Sequence, residues 1–139
     1  MTKEENDLLL KDLCARLPYK VICKRYKNAY QLVDIDIKRG LVCLLRDEQY
    51  VPYSIISGDE IKPYLRPLSS MTEEEKKELR QISEEYLDDW PTADSSLLKW
   101  ELDAKVSSMR ATFYNSHHLD WSGLIEKNLA IEAPVGMYN

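Results

Sequence analysis

Glycine is scarce, with 4 in 139 residues, and phenylalanine occurs once. The chain contains no G-x-G-x-x-G turn, Walker loop, G-x-S-x-G elbow or H-E-x-x-H helix. The familiar loops that cradle phosphates and the familiar hydrolase and metalloprotease motifs are therefore excluded. No apolar run approaches the ~20 residues of a membrane-spanning helix, so no membrane role is expected. The opening Met1-Thr2-Lys3-Glu4-Glu5-Asn6-Asp7 is acidic and polar, the opposite of a signal peptide. Cysteine is limited to Cys14, Cys23 and Cys43, an odd number without a C-x-x-C pair. That set does not make a disulfide framework; it reads as small apolar side chains in a reducing, cytoplasmic setting.

What is present is the composition of one ordinary domain: 44% hydrophobic and 31% charged residues, enough to bury a core. The net charge of −5 is uneven. Between Arg16 and Arg46 stand Arg16, Lys20, Lys24, Arg25, Lys27, Lys38, Arg39 and Arg46, opposed only by Asp34 and Asp36, so this stretch is +6 inside an acidic protein. Residues 71–89 are the counterpart, with a net charge of −5. Overall negative sign repels phosphate at long range, but a local basic face still acts within a Debye length.

The spacing predicts an α+β domain spanning 1–139. Thr2 with Glu5 forms a capping box, and Leu9, Leu10, Leu13, Cys14 and Leu17 follow at helical spacing up to Pro18. Val21 and Cys23, then Val33, Ile35 and Ile37, alternate with polar neighbours, and Leu41 to Leu45 is nearly continuously apolar. Turns at Lys27-Asn28 and Lys38-Arg39-Gly40 join these runs into an antiparallel meander. A fourth strand from Tyr50 to Ile56 would be confined to an edge or bulge by Pro52. Asp59 to Leu65 reads as a short helix or an irregular approach. Thr72 and Glu75 form a second capping box, opening a helix with Leu79, Ile82, Tyr86 and Trp90 on one stripe, closed by Pro91. Asp94 or Ser95 caps a third helix bearing Leu98, Leu102, Val106, Met109 and Phe113. Ser122 to Asn128 makes one or two turns ending at Asn128, a left-handed cap, and Ala133-Pro134 begins a strand end or loop. The expectation is an N-terminal helix, a three- to four-stranded meander, then two long helices and an irregular tail packed on one face.

His117-His118-Leu119-Asp120-Trp121 contains both histidines and a nearby carboxylate. These are zinc-ligand types, and also acid–base groups, but adjacent side chains diverge on any regular element. The simpler reading places the pair at the end of the third helix, where histidine satisfies free carbonyls and the dipole. No metal or other cofactor is expected. Asp34 and Asp36 share one face of a strand; they are able to hold a divalent ion, although a solvated face explains them. Lys20, Lys24, Arg25, Lys27, Lys38 and Arg39, beside Tyr19, Tyr26 and Tyr30, are the ingredients of a single-strand nucleic-acid face. The acidic helix suits a basic protein partner.

Two stretches are familiar when read together: Lys62-Pro63-Tyr64-Leu65-Arg66-Pro67-Leu68-Ser69-Ser70-Met71-Thr72-Glu73-Glu74-Glu75, and His117-His118-Leu119-Asp120-Trp121-Ser122-Gly123-Leu124-Ile125-Glu126-Lys127-Asn128-Leu129-Ala130-Ile131-Glu132-Ala133. The pairing resembles small uncharacterised proteins carried by prophages and mobile elements of gut Bacteroidetes, over most of the C-terminal two thirds. Relatives typically have tyrosine at Trp121 and glycine at Asn128; the latter exchange is mild because both residues tolerate a left-handed backbone. The resemblance implies origin and compartment, and no chemistry. Trp121 and Leu124-Ile125 are expected to dock across the helices, each contributing ~1.5–3 kcal/mol by burial.

The reading that results is a small non-enzymatic accessory protein that binds a host or phage protein. The alternative is nucleic-acid or nucleotide binding through the basic meander. No oligomeric state is implied.

Overall fold

The computed structural model describes residues 2–55, 57–87 and 96–138. The first helix, α1 (Lys3–Arg16), starts at the expected box: Glu5 N donates to Thr2 Oγ1 and Thr2 N to Glu5 Oε1, both at 3.1 Å. Its Leu9, Leu10 and Leu13 are buried. A 3-10 turn over Leu17–Tyr19 carries Pro18, and Lys20 leaves it with a left-handed φ of 59°. The meander follows as β1 (Ile22–Arg25), β2 (Asn28–Asp36), β3 (Leu41–Arg46) and β4 (Gln49–Ser54). Asn28 lies inside β2, and Tyr26 instead takes the positive φ of the first turn.

Two further strands extend the sheet beyond the three or four expected. Residues read as a short helix or irregular approach form β5 (Lys62–Leu65), which pairs antiparallel with β1. The tail supplies β6 (Ile131–Glu132), parallel to β5, giving the order β4-β3-β2-β1-β5-β6. A four-residue strand containing a proline has too little periodicity to declare itself; its pairing with β1 and β6 makes it a strand.

One face of the sheet is closed. Cys23, Leu32, Val42, Leu44 and Leu65 point inward with Val21, Ile55 and Ile61, and α1 covers them together with Leu124, Leu129 and Ala130 of the tail. The two later helices, α2 (Glu73–Leu87) and α3 (Ser96–Ser116), contribute no described side chain to this cluster. Among the described residues, packing against the sheet is carried by α1 and the tail. Leu79, Ile82, Val106 and Met109 are half-buried and Phe113 is buried, while Trp90, Pro91, Asp94, Ser95 and the side chains of Tyr86, Leu98 and Leu102 lie outside the described residues. The sheet is strongly coiled: Arg25 of β1 sits 3.9 Å over the ring of Tyr53 on the far edge strand β4.

Pro52 lies on an edge strand, as expected, and its placement closes that edge. Arg46 and Gln49 flank the two-residue turn Asp47-Glu48, so they form a hydrogen-bonded pair and alternation makes Cys43–Pro52 a non-bonded one. Pro52 therefore directs its missing N–H outward. Ser54, of the same parity, donates its outward N–H to Asp59 Oδ2 at 2.8 Å, and Asp59 N returns a bond to Ser54 O. Among the described residues of this edge, Tyr50 alone keeps an open amide. Pro52→Val restores a second outward donor; by sedimentation it is expected to convert a species unaffected by edge pairing into one that self-associates as concentration rises, and an unchanged profile would refute the blocked-edge account.

Candidate functional site

The histidine segment follows α3, where the sequence put it, but its side chains do not converge. Arg66, just past β5, donates to both oxygens of Glu75 at 2.7 and 2.8 Å. Glu75 closes the second capping box, accepting from Thr72 N at 2.9 Å while its own amide donates to Thr72 Oγ1. His117 Nδ1 stands 3.0 Å from the second Glu75 oxygen, and its Nε2 is 3.8 Å from Glu78. The Arg66 guanidinium holds the Glu75 carboxyl at about 2, well below the carboxylate range. This cluster joins the start of α2, the end of β5 and the end of α3.

His118 does something different. Its φ is 59°, it is buried, and it stacks on Tyr138 with ring centroids 3.7 Å apart. Burial, with Arg16 and Arg66 nearby, pushes its pKa down to about 4. Tyr138 in turn uses its hydroxyl as a pin: it donates to Tyr64 O at 2.7 Å and accepts from Ile22 N at 2.9 Å, bridging β5 and β1. The segment between the histidines and Trp121 enters the sheet beside β5, with Arg66 N donating to His118 O and Asp120 N to Arg66 O. Asp120 then spends its carboxylate on the amides of Leu124 and Ile125, starting the turn that ends at left-handed Asn128. Trp121 departs from the expected burial. It is 45% exposed, stacks on Tyr114 and donates Nε1 to Asn115 Oδ1. Leu124 is fully buried and Ile125 packs on the core as expected. Among the described residues no three ligating side chains gather for a metal. Arg16, Arg66, Glu75 and Tyr138 were not singled out by sequence; only the Thr72–Glu75 box hinted at one of them.

The six basic residues of the meander are spread out. Arg25 flanks and Lys27 occupies the β1–β2 turn, while Lys38 and Arg39 occupy the β2–β3 turn at the other end of the nine-residue β2. Lys20 precedes β1. Arg25 pairs with Asp59 and lies between the rings of Tyr26 and Tyr53; Arg39 stands 3.7 Å from Asp36. Lys24 and Lys62 are directly opposite across β1 and β5, and with Tyr26, Glu60 and Ile131 they line a recess of about 200 Å³.

The outer face of the sheet is the remaining candidate. Register places Ile22, Gln31, Leu45 and Tyr50 in one row across four strands. Leu41, Cys43 and Leu45 run along β3, beside Tyr50 and Pro52 of β4. None of these is buried, and Tyr50 is 67% exposed. Asp34 and Asp36, opposite Cys43 and Leu41, border the strip on β2. The continuous apolar run Leu41–Leu45 was its signal: a strand apolar on both faces has something to present on each.

No protein-family model matches the chain, nor does any curated protein or solved structure.

His118 and Glu75 shift far enough to shape the acid response. His118 binds protons in the unfolded chain near 6.5 but in the fold only near 4, so its stabilisation is complete above pH 6.5 and is lost as pH falls to 4. Glu75 contributes above pH 4.5 and is lost as pH falls toward 2. Urea midpoints are expected to fall from pH 7 to 4. His118→Asn, which keeps a residue tolerant of the left-handed backbone, should flatten that window and leave the step below pH 4.5, which Glu75→Gln should flatten instead. An unaltered slope in H118N would show that other groups carry it.

Proposed function

We propose that this chain is a small accessory protein of a phage or mobile element that acts by binding another protein, and that it does so through the outer face of its sheet. The observation that carries the reading is the strip Leu41, Cys43, Leu45, Tyr50 and Pro52, apolar and unburied on a face opposite the filled core. The blocked β4 edge beside the strip supports it by disfavouring strand addition there. Free thiols at Cys14, Cys23 and Cys43 fit a reducing compartment such as the cytoplasm. The resemblance of residues 62–75 and 117–133 supports the mobile-element origin. Cys43 is a native reporter on the strip, since Cys23 is buried and Cys14 is removable as Cys14→Ala. A photo-crosslinker on Cys43 should give a discrete adduct with one host or phage protein, and Tyr50→Lys should reduce it about tenfold. Adducts that form equally well from a reporter at Ser69→Cys, or none from Cys43, would dismiss the reading.

A second reading, contact with single-stranded nucleic acid or a nucleotide, is favoured by one arrangement. Lys24 and Lys62 face each other beside Tyr26, which is 72% exposed. Like charges directly opposite on paired strands repel, and an anion between them relieves the strain. Labelled single strands should then bind with a clear salt slope that Lys24→Glu with Lys62→Glu removes. The absence of binding at low salt would leave both lysines as solvated charge, because Lys62 already has Glu60 and Asn128 at 3.1 Å.

A further inference from the structure

Resting on the protein-binding reading, we infer that the occupant of the outer face is an amphipathic helix of the partner with a lysine- or arginine-bearing flank. The strip along β3 covers Leu41 to Leu45, about 13–17 Å of strand, which matches roughly three turns of helix. Its borders select the charge. On the β2 side stand the exposed carboxylates of Asp34 and Asp36, two residues apart on one face. Among the described residues, Asp34 Oδ1 is engaged only by the adjacent Ile35 amide at 2.9 Å. Asp36 Oδ1 accepts from Arg39 N at 3.2 Å, and its other oxygen is 3.7 Å from an Arg39 side chain that is itself 77% exposed. An exposed pair of that length is worth little, so it yields readily to a better-placed cation. At the end beyond Leu45, the turn is Asp47-Glu48, with Arg46 3.8 Å from Asp47. Lys38 and Arg39 occupy the turn at the opposite end.

The other occupants fit less well. An extended strand needs a pairing edge, and β4 offers a proline and a capped serine there. A second copy would bring another chain of net charge −5 against a carboxylate-bordered strip. A helix needs no backbone bonds from its partner; it lays Leu-type residues at i, i+3 or i+4, and i+7 on the strip and sets its cations over Asp34 and Asp36.

The test uses the full chain carrying Cys14→Ala and two synthetic helical peptides of about 14 residues with the same leucine face, one flanked by lysine and the other by glutamate. Binding is followed by anisotropy and by protection of Cys43 from alkylation. The lysine peptide should slow alkylation of Cys43 about tenfold, and Asp34→Lys with Asp36→Lys should reverse the preference between the peptides. If the double reversal disturbs the fold, Asp34→Asn with Asp36→Asn should still erase the lysine preference. Equal protection by the glutamate peptide, or indifference to these variants, overturns the charge inference and leaves the protein-binding reading standing. Protection that appears with chain concentration and no peptide assigns the face to a second copy and overturns it too. No protection by either peptide, together with no Cys43 adduct, removes both.

Discussion

A guanidinium cut off from water has to find its partners inside the protein, and Arg16 is such a group, with 0% of its surface exposed. It reaches Asp12 one turn back at 2.8 Å and the Leu119 carbonyl at 2.8 Å, across 103 residues of chain. Burial pushes the Asp12 carboxyl up while Arg16 opposes it, so each charge makes the other tolerable. Removing one member of such a pair typically costs about 3–5 kcal/mol, because the survivor is left buried and uncompensated. Leu119 itself lies beside β5 through Arg66, so the same bond fixes α1, the sheet and the end of α3 in one arrangement. The tail then has a defined starting point, and Asp120, Leu124, β6 and Tyr138 follow from it.

This interlock explains why the histidine segment is so polar and yet its side chains do not converge. Each polar group meets a different need: His117 stands against Glu75, His118 against Tyr138, and Asp120 caps two amides. Buried polar groups held by different partners specify a single path for an irregular segment, where no ladder or helix would, and His118 is held by stacking, its Nδ1 having no hydrogen-bond partner among the described residues. The consequence for the surface is indirect. With the inner face filled by α1 and the tail, the sheet has only its outer face and edges left for contact, and the β4 edge is nearly out of donors.

Local signals in the sequence were reliable where they are short-range. Both capping boxes form between residues three apart, Pro52 sits on an edge, and Asn128 takes the left-handed cap. These depend on backbone chemistry that no distant residue needs to complete. The basic meander shows the opposite case. Eight cations close in sequence look like one patch, but a nine-residue strand separates its two turns and acidic side chains from β2 and the β4–β5 loop come to meet them. Trp121 departs for the same reason: an aromatic amid apolar residues reads as core, whereas its indole N–H is held by the buried Asn115 while the ring stays 45% exposed.

The sequence by itself determined the α1 helix, the meander, the two later helices and both capping boxes, because hydrophobic period and capping act within a few residues. It also carried the two-sided apolar run of β3, and with it the outer strip. Tertiary structure alone decided that residues 62–65 and 131–132 become strands, since a short strand exists only through its neighbours. It decided as well that Arg16, Arg66 and Tyr138 hold the fold together, because each satisfies groups that are distant in sequence and reach it only once the chain has closed on itself.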